Sequence, residues 1–175
     1  MLTGRGNSHM PTSVEALKPV PSSQWISGLS KAERDALIAK VGLVQSWIDD
    51  FARVLGKWQA PKARITETEV CYARWPNFIG VPAQALLYAD ERLLRIAVAH
   101  EFGHFTRRWV SWLSRSEFAK IDEEIKADRA AMALTGASYA ELEASIVEIC
   151  KFQGDMEGLT LDEHLAFRRA LHSFS

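Results

Sequence analysis

The chain has 175 residues, of which 47% are hydrophobic and 25% are charged, and its formal net charge is −1. These values are typical of a globular protein with one hydrophobic core. The near-neutral charge argues against a nucleic-acid-binding protein, which usually carries a clear basic excess. The most apolar candidate for a membrane span, residues 81–99, is interrupted by four charged side chains, so the sequence also argues against a membrane partner.

The N-terminal residues differ in composition from the remaining sequence. Residues 1–10, MLTGRGNSHM, are typical of a cloning scar, so His9 is not treated as a candidate ligand. Residues 11–29 are rich in proline and serine and are predicted to form a flexible arm. We hypothesise that this arm lies in a substrate groove and blocks it. Residues 30–175 are predicted to form a single domain.

Most of this domain carries the sequence pattern of helices. Ser30 and Glu33 form a capping box that predicts the start of the first helix. Its apolar residues recur at helical spacing, namely Leu37, Val41, Val44, Ile48, Phe51 and Leu55. Further helix starts are predicted at Asp90, Ser114, Ser138 and Thr160, and helix ends at Gly56, Gly136 and Gly154.

Two extended segments lie between the first and second predicted helices. Residues 65–72 are rich in β-branched side chains and predict a strand. A second extended segment, at residues 78–81, is flanked by Pro76 and Pro82, which favours an exposed or edge strand over a central one. The predicted fold class is therefore α+β, mostly helical, with a small antiparallel or mixed sheet.

The sequence His100-Glu101-Phe102-Gly103-His104 places two histidines one helical turn apart. Two imidazole nitrogens on one helix face can bind the same zinc ion, and a catalytic zinc site adds a third protein ligand and a water molecule. Glu101 is rotated by about 100° from His100 around the helix axis, so it is predicted to act as a base on that water and not as a ligand. Gly103 costs about 1 kcal/mol relative to alanine inside a helix, and close approach of another backbone is one explanation for its presence.

The third ligand is expected further along the chain, where Glu124 and Asp128 again lie four residues apart. Glu124 is the predicted ligand. Asp128 is predicted to accept the other ring N–H of a ligand histidine and thereby fix its orientation. Glu123, His164 and His172 are the alternative ligands.

The paired motifs resemble those of the gluzincin metallopeptidases, in particular the HtpX-like and minigluzincin branch. The similarity covers about residues 65–135 and includes the second motif formed by Glu124, Ala127, Asp128 and Ala131. It implies a peptidase with one zinc ion, the ligands His100, His104 and Glu124, the base Glu101, and Asp128 in support. It further implies an edge strand that precedes the motif helix and pairs with extended substrate, for which we name Phe78, Ile79, Gly80 and Val81.

This resemblance has two gaps. The chain contains no counterpart of the membrane helices of HtpX, and no residue can be matched to an arginine that follows the second motif in that branch. By residue type alone, the candidates for stabilising an oxyanion are Tyr139, His164, Arg168 and His172.

The function predicted from the sequence is that of a soluble zinc-dependent endopeptidase acting on a peptide or protein. An alternative is a metallopeptidase-like binding or regulatory module that acts on one protein partner, similar to ImmA and IrrE. A second alternative is a helical domain without a metal. Cys71 and Cys150 form no C-x-x-C motif, and no signal peptide is recognised, so a cytoplasmic location is predicted. The sequence does not predict the oligomeric state.

Overall fold

The computed structural model of the protein describes residues 26–57, 59–66, 72–74, 78–106, 117–152 and 160–173. The predicted cloning scar, residues 11–25 of the predicted arm, the cap at Ser114 and the helix end at Gly154 lie outside these ranges. Residues 26–28 form a helical turn, and Leu29 is buried in the core. The packed part of the chain therefore includes the last four residues that were assigned to the arm.

The described residues are mostly helical, which confirms the α+β class. The helices are α1 Lys31–Val54, α2 Ala83–Tyr88, α3 Glu91–Gly103, α4 Glu117–Thr135, α5 Tyr139–Cys150 and α6 Leu161–Ser173, and a 3-10 turn, His104–Thr106, follows α3. The strands are β1 Lys62–Thr66, β2 Tyr72–Arg74 and β3 Phe78–Pro82. None of the described helices is both long enough and apolar enough to cross a membrane.

Four helix starts follow the predicted capping residues, whereas α2, which begins after Pro82 without a side-chain cap, was not predicted. Ser30 and Ser138 form complete capping boxes at α1 and α5, and Asp90 accepts a hydrogen bond from the backbone N–H of Leu93 at α3. Thr160 forms the same reciprocal pair with Glu163. Gly56 and Gly136 both adopt positive φ after their helices, as expected for C-terminal glycines. The local sequence therefore sets these boundaries.

The three strands form a mixed sheet in the order β1-β3-β2. Strand β3 is parallel to β1 and antiparallel to β2. The prediction that Phe78–Val81 is an edge strand is therefore wrong, because β3 lies at the centre with a neighbour on each side. Proline was a misleading signal here. Pro82 is the last residue of β3, where a missing N–H bounds the strand without interrupting the hydrogen bonds of its interior.

The outer edge of β1 is covered by the side chain of Gln45 from α1. Its amide nitrogen donates to the carbonyl oxygen of Pro61 at 3.2 Å, and its amide oxygen accepts from the N–H of Ala63 at 2.8 Å. The side chain thus supplies both a donor and an acceptor, as a neighbouring strand would. This contact protects β1 against pairing with another chain.

Helix α3 is held between α1 and α4. The ring of Phe102 packs against the ring of Phe51 from α1 with a centroid separation of 5.7 Å. On the other side, a Cβ built on Gly103 would lie 2.7 Å from the Cα of Ala127 and 3.0 Å from its carbonyl oxygen. A side chain at position 103 would therefore force α4 away. The close backbone approach offered as an explanation for this glycine is confirmed.

Candidate metal centre

The two motif histidines lie at the C-terminal end of α3. His100 belongs to its last turn, whereas His104 is the C-cap residue and begins the 3-10 turn. His104 nevertheless keeps helical dihedrals, with φ −62° and ψ −24°, so the one-turn spacing of the two imidazoles is preserved. Their rings are nearly perpendicular, with centroids 5.0 Å apart.

Glu124 of α4 reaches both histidines. One ligand atom from each of His100, His104 and Glu124 lies within 4.8 Å of the other two. The Nε2 of His100 is 3.3 Å from Oε2 of Glu124, and the Nε2 of His104 is 3.7 Å from Oε1. Ligands about 2.0–2.1 Å from a tetrahedral zinc ion are roughly 3.3 Å from one another. The donor set and these two distances are therefore compatible with a metal ion held by the three described residues.

Asp128 lies one turn beyond Glu124, next to the second ring nitrogen of His100, Nδ1. The Nδ1 of His100 is 2.8 Å from Oδ1 of Asp128, although the N–H is not aligned well enough for a regular hydrogen bond. Asp128 is 1% exposed. A buried carboxylate behind a ligand histidine orients the ring and strengthens the metal-binding nitrogen. Asp128 lies at the position predicted for this role, and the role itself stays a prediction.

Helix α6 contributes two further side chains to the site. The guanidinium of Arg168 contacts Oδ1 of Asp128 through NH1, and it contacts Oε2 of Glu124 at 2.8 Å through NH2. The Nε2 of His172, one turn on, lies 3.0 Å from Oδ2 of Asp128. The ring of Tyr139 lies against that of His172, with centroids 4.7 Å apart. Both oxygens of Asp128 are therefore engaged.

Glu101 lies beside this group, on the side of the sheet. Burial raises the pKa of its carboxyl, while His100 and a hydrogen bond from the backbone N–H of Ala73 in β2 act in the opposite direction. A carboxylate with a raised pKa accepts a proton more readily near neutral pH. Glu101 is not a member of the ligand group found among the described residues, in keeping with a base beside the metal.

The surrounding charges favour a cation at the two histidines. Burial alone would lower the pKa of His100, but contacts with Asp128 and Glu124 outweigh it and raise the pKa to about 9. Burial alone would raise the pKa of Glu124, but His100, His104 and Arg168 lower it to about 2. The negative charge of the carboxylates therefore stabilises the protonated form of His100, and a divalent cation bound there would replace the imidazole proton.

Two of the three alternative ligands lie outside the ligand group. Among the described side chains, Glu123 is outside the ligand group, and His172 contacts Asp128 instead. The side chain of His164 lies outside the described residues. Of the four oxyanion candidates, Arg168 contacts the two carboxylates and Tyr139 contacts His172.

The support that α6 gives to the site was not predicted from the sequence. Arg168 and His172 lie four residues apart and therefore share one helix face, a spacing that the sequence displays. Their partner Asp128 is 40 residues upstream of Arg168, and no local pattern links the two helices. The contact of Ala73 with Glu101 was also not foreseen, because a backbone N–H leaves no trace in the sequence.

No protein-family model matches the chain, and no match was found among curated proteins or solved structures.

Proposed function

We propose that this protein is a zinc-dependent endopeptidase. The observation that carries the proposal is the convergence of His100, His104 and Glu124, with Glu101 beside them and outside the ligand group. Two histidines and a glutamate form one of the ligand sets of catalytic zinc, in which three protein ligands leave a position for water. A purely structural zinc site would have a fourth protein ligand.

The residues of the chain divide the chemistry among them. A zinc ion bound here would polarise the scissile carbonyl group and lower the pKa of a coordinated water molecule to about 7. Glu101 would act as the base that takes a proton from the attacking water, since burial raises the pKa of its carboxyl, and would later donate that proton to the leaving amine. Asp128 holds the ring of His100 in its ligating orientation.

The geometry of the sheet supports binding of an extended peptide at β2. An added strand needs an edge with unpaired main-chain groups. Of the described strands, β3 is central and the outer edge of β1 is covered by Gln45. Strand β2 forms the other edge of the described sheet, and the backbone N–H of its residue Ala73 already donates to Glu101, so a peptide that adds here replaces that hydrogen bond. A peptide paired with β2 would therefore lie beside the proposed base.

A cytoplasmic location remains a prediction from the sequence.

The test is to compare Glu101→Gln with the unaltered protein and with Glu91→Gln. Glu91 lies in the same helix but is paired with Lys40 at the surface. We expect one zinc ion per chain in all three proteins. Cleavage of unfolded casein should fall by about 10²–10⁴-fold in Glu101→Gln alone, as expected for loss of a general base.

Two results would contradict the proposal. If the unaltered protein neither contains zinc nor takes it up, the site is not a metal centre and the helical domain without a metal is favoured. If zinc is bound but Glu101→Gln cleaves as fast as the unaltered protein, Glu101 is not the base. Bound zinc without turnover, together with a stable partner, would favour the regulatory module.

A further inference from the structure

Arg168 is joined to both carboxylates that α4 directs at the metal centre. Its NH1 contacts Oδ1 of Asp128, and its NH2 lies 2.8 Å from Oε2 of Glu124. The side chain of Arg168 is 8% exposed. The planar, rigid guanidinium presents several donors in fixed directions, so one arginine can fix two carboxylates relative to each other.

The two oxygens of Glu124 differ in their contacts. A carboxylate can bind a cation through one oxygen or through both. Oε2 lies 3.3 Å from the Nε2 of His100 and also accepts a hydrogen bond from Arg168, whereas Oε1 faces His104, whose Nε2 is 3.7 Å away. Both oxygens are therefore near a histidine, and Arg168 engages one of them. A glutamate that bound through both oxygens would fill the coordination position that a hydrolytic site keeps open. Glu124 would then serve binding at the expense of catalysis.

Building on the proposed zinc centre, we propose that Arg168 is a positioning residue that limits Glu124 to one metal-binding oxygen. The side chain of Glu124 is 39% exposed and that of Asp128 is 1% exposed, so Glu124 is the less confined of the two carboxylates. Arg168 supplies the missing restraint. By holding Oε2, it keeps one coordination position available for water and substrate.

The charge of Arg168 distinguishes this role from a simple contribution to metal affinity. A fixed positive charge near a cation site weakens cation binding. Asp128 also has a second partner, because His172 contacts its Oδ2 at 3.0 Å. Neutralisation of one buried carboxylate would not require the second contact, that of NH2 with Glu124. The two contacts of Arg168, of NH1 with Asp128 and of NH2 with Glu124, are explained if Arg168 positions both carboxylates.

The experiment follows the coordination of Co²⁺ titrated into the metal-free full chain. Visible absorption of Co²⁺ is stronger for four ligands than for five or six, so its intensity reports the coordination number. The variants are Arg168→Met and Arg168→Lys, and the matched control is Arg169→Met. Arg169 is the adjacent residue, but it is exposed and paired with Glu143.

We expect the Co²⁺ band of Arg168→Met to weaken, because Glu124 becomes free to bind through both oxygens. Cation affinity should be equal or tighter, since a positive charge is removed. In the zinc-loaded protein, kcat should fall by about 10–100-fold, the range for residues that orient metal ligands, with little change in KM. Arg168→Lys should also weaken the band and lower kcat, because lysine lacks the fork, but its cation affinity should stay near that of the unaltered protein, because lysine retains the charge. Arg169→Met should match the unaltered protein.

The outcomes separate this inference from the proposed function. If the unaltered protein binds neither Co²⁺ nor zinc, both are overturned. If it binds and Arg168→Met gives the same spectrum, the inference alone is overturned. If Arg168→Met binds more weakly with an unchanged band, Arg168 has only a structural role. Should Arg168→Met fail to fold, as judged by circular dichroism, Arg168→Lys decides, and an unaltered spectrum there overturns the inference.

Discussion

Helices α3 and α6 both bring side chains to α4, but they are held against it by different forces. The contact with α3 depends on backbone proximity, because Gly103 leaves no room for a side chain against Ala127. The contact with α6 at the site depends on charge, through Arg168 and His172 on Asp128. The first contact sets the distance between the ligands, and the second sets their orientation. Substitutions in the two contacts should therefore fail in different ways.

The largest effect is expected from Asp128→Asn, which weakens the charged contact. It removes the anion between His100, Arg168 and His172. Metal affinity should fall by about 10–100-fold, as for other residues behind a metal ligand. The free energy of unfolding should fall by about 3 kcal/mol, because Arg168 loses the charge of its buried partner.

Isothermal titration with zinc and urea unfolding measure these two effects. Asp122→Asn is the control, since Asp122 lies on the same helix but is exposed and pairs with Lys126. Its affinity and stability should be close to those of the unaltered protein. If both aspartate variants behave alike, the buried charge network is not what orients His100.

The second effect is the stabilisation of the folded protein by zinc. At a free zinc concentration of a hundred times Kd, binding should raise the free energy of unfolding by about 2.7 kcal/mol. A chelator should remove this gain, as measured by thermal unfolding. His104→Gln, which lacks one of the three ligands, should show no comparable shift. An identical shift in this variant would place the zinc elsewhere on the chain.

The third effect tests the packed contact through Gly103→Ala. Its Cβ would lie 2.7 Å from the Cα of Ala127, so the helices must separate. The expected loss is about 1–3 kcal/mol, as for overpacking in a well-filled core, together with weaker zinc binding because Glu124 moves away from the histidines.

Gly42→Ala is the matched control for that substitution. Gly42 lies within α1, and an added Cβ meets nothing within 4 Å. This variant should be more stable by about 0.5–1 kcal/mol, because alanine is the better helix former. Circular dichroism and zinc titration of both variants provide the measurement. A stabilised Gly103→Ala that binds zinc normally would show that close packing does not set the ligand distances.

The smallest effect is expected from Ser138→Ala, because the hydroxyl of Ser138 takes part in neither contact. Ser138 caps α5 through the backbone N–H of Glu141, and loss of such a cap costs about 1 kcal/mol. Stability should fall by that amount in urea unfolding, while zinc affinity stays unchanged. A loss of zinc affinity here would indicate that α5 also takes part in positioning the site.

The parts of this molecule that could be predicted differ in the range of the interactions that produce them. Ser30, Ser138 and Thr160 begin helices because each bonds to a residue three positions away. His100 and His104 share a face because of helical periodicity. The central position of β3 and the contact of Arg168 with Glu124 depend instead on residues far apart in sequence. The prolines that flank β3 therefore led to the wrong prediction of an edge strand.

The sequence by itself determined the starts of α1, α3, α5 and α6, the glycines that end α1 and α4, and the one-turn spacing of His100 and His104, since each of these follows from neighbours within one or two helical turns. Tertiary structure alone decided which edge of the sheet is covered, how closely α4 approaches α3, and that Arg168 holds both carboxylates. These features arise from packing and charge between separate elements, whose relative placement no local pattern encodes.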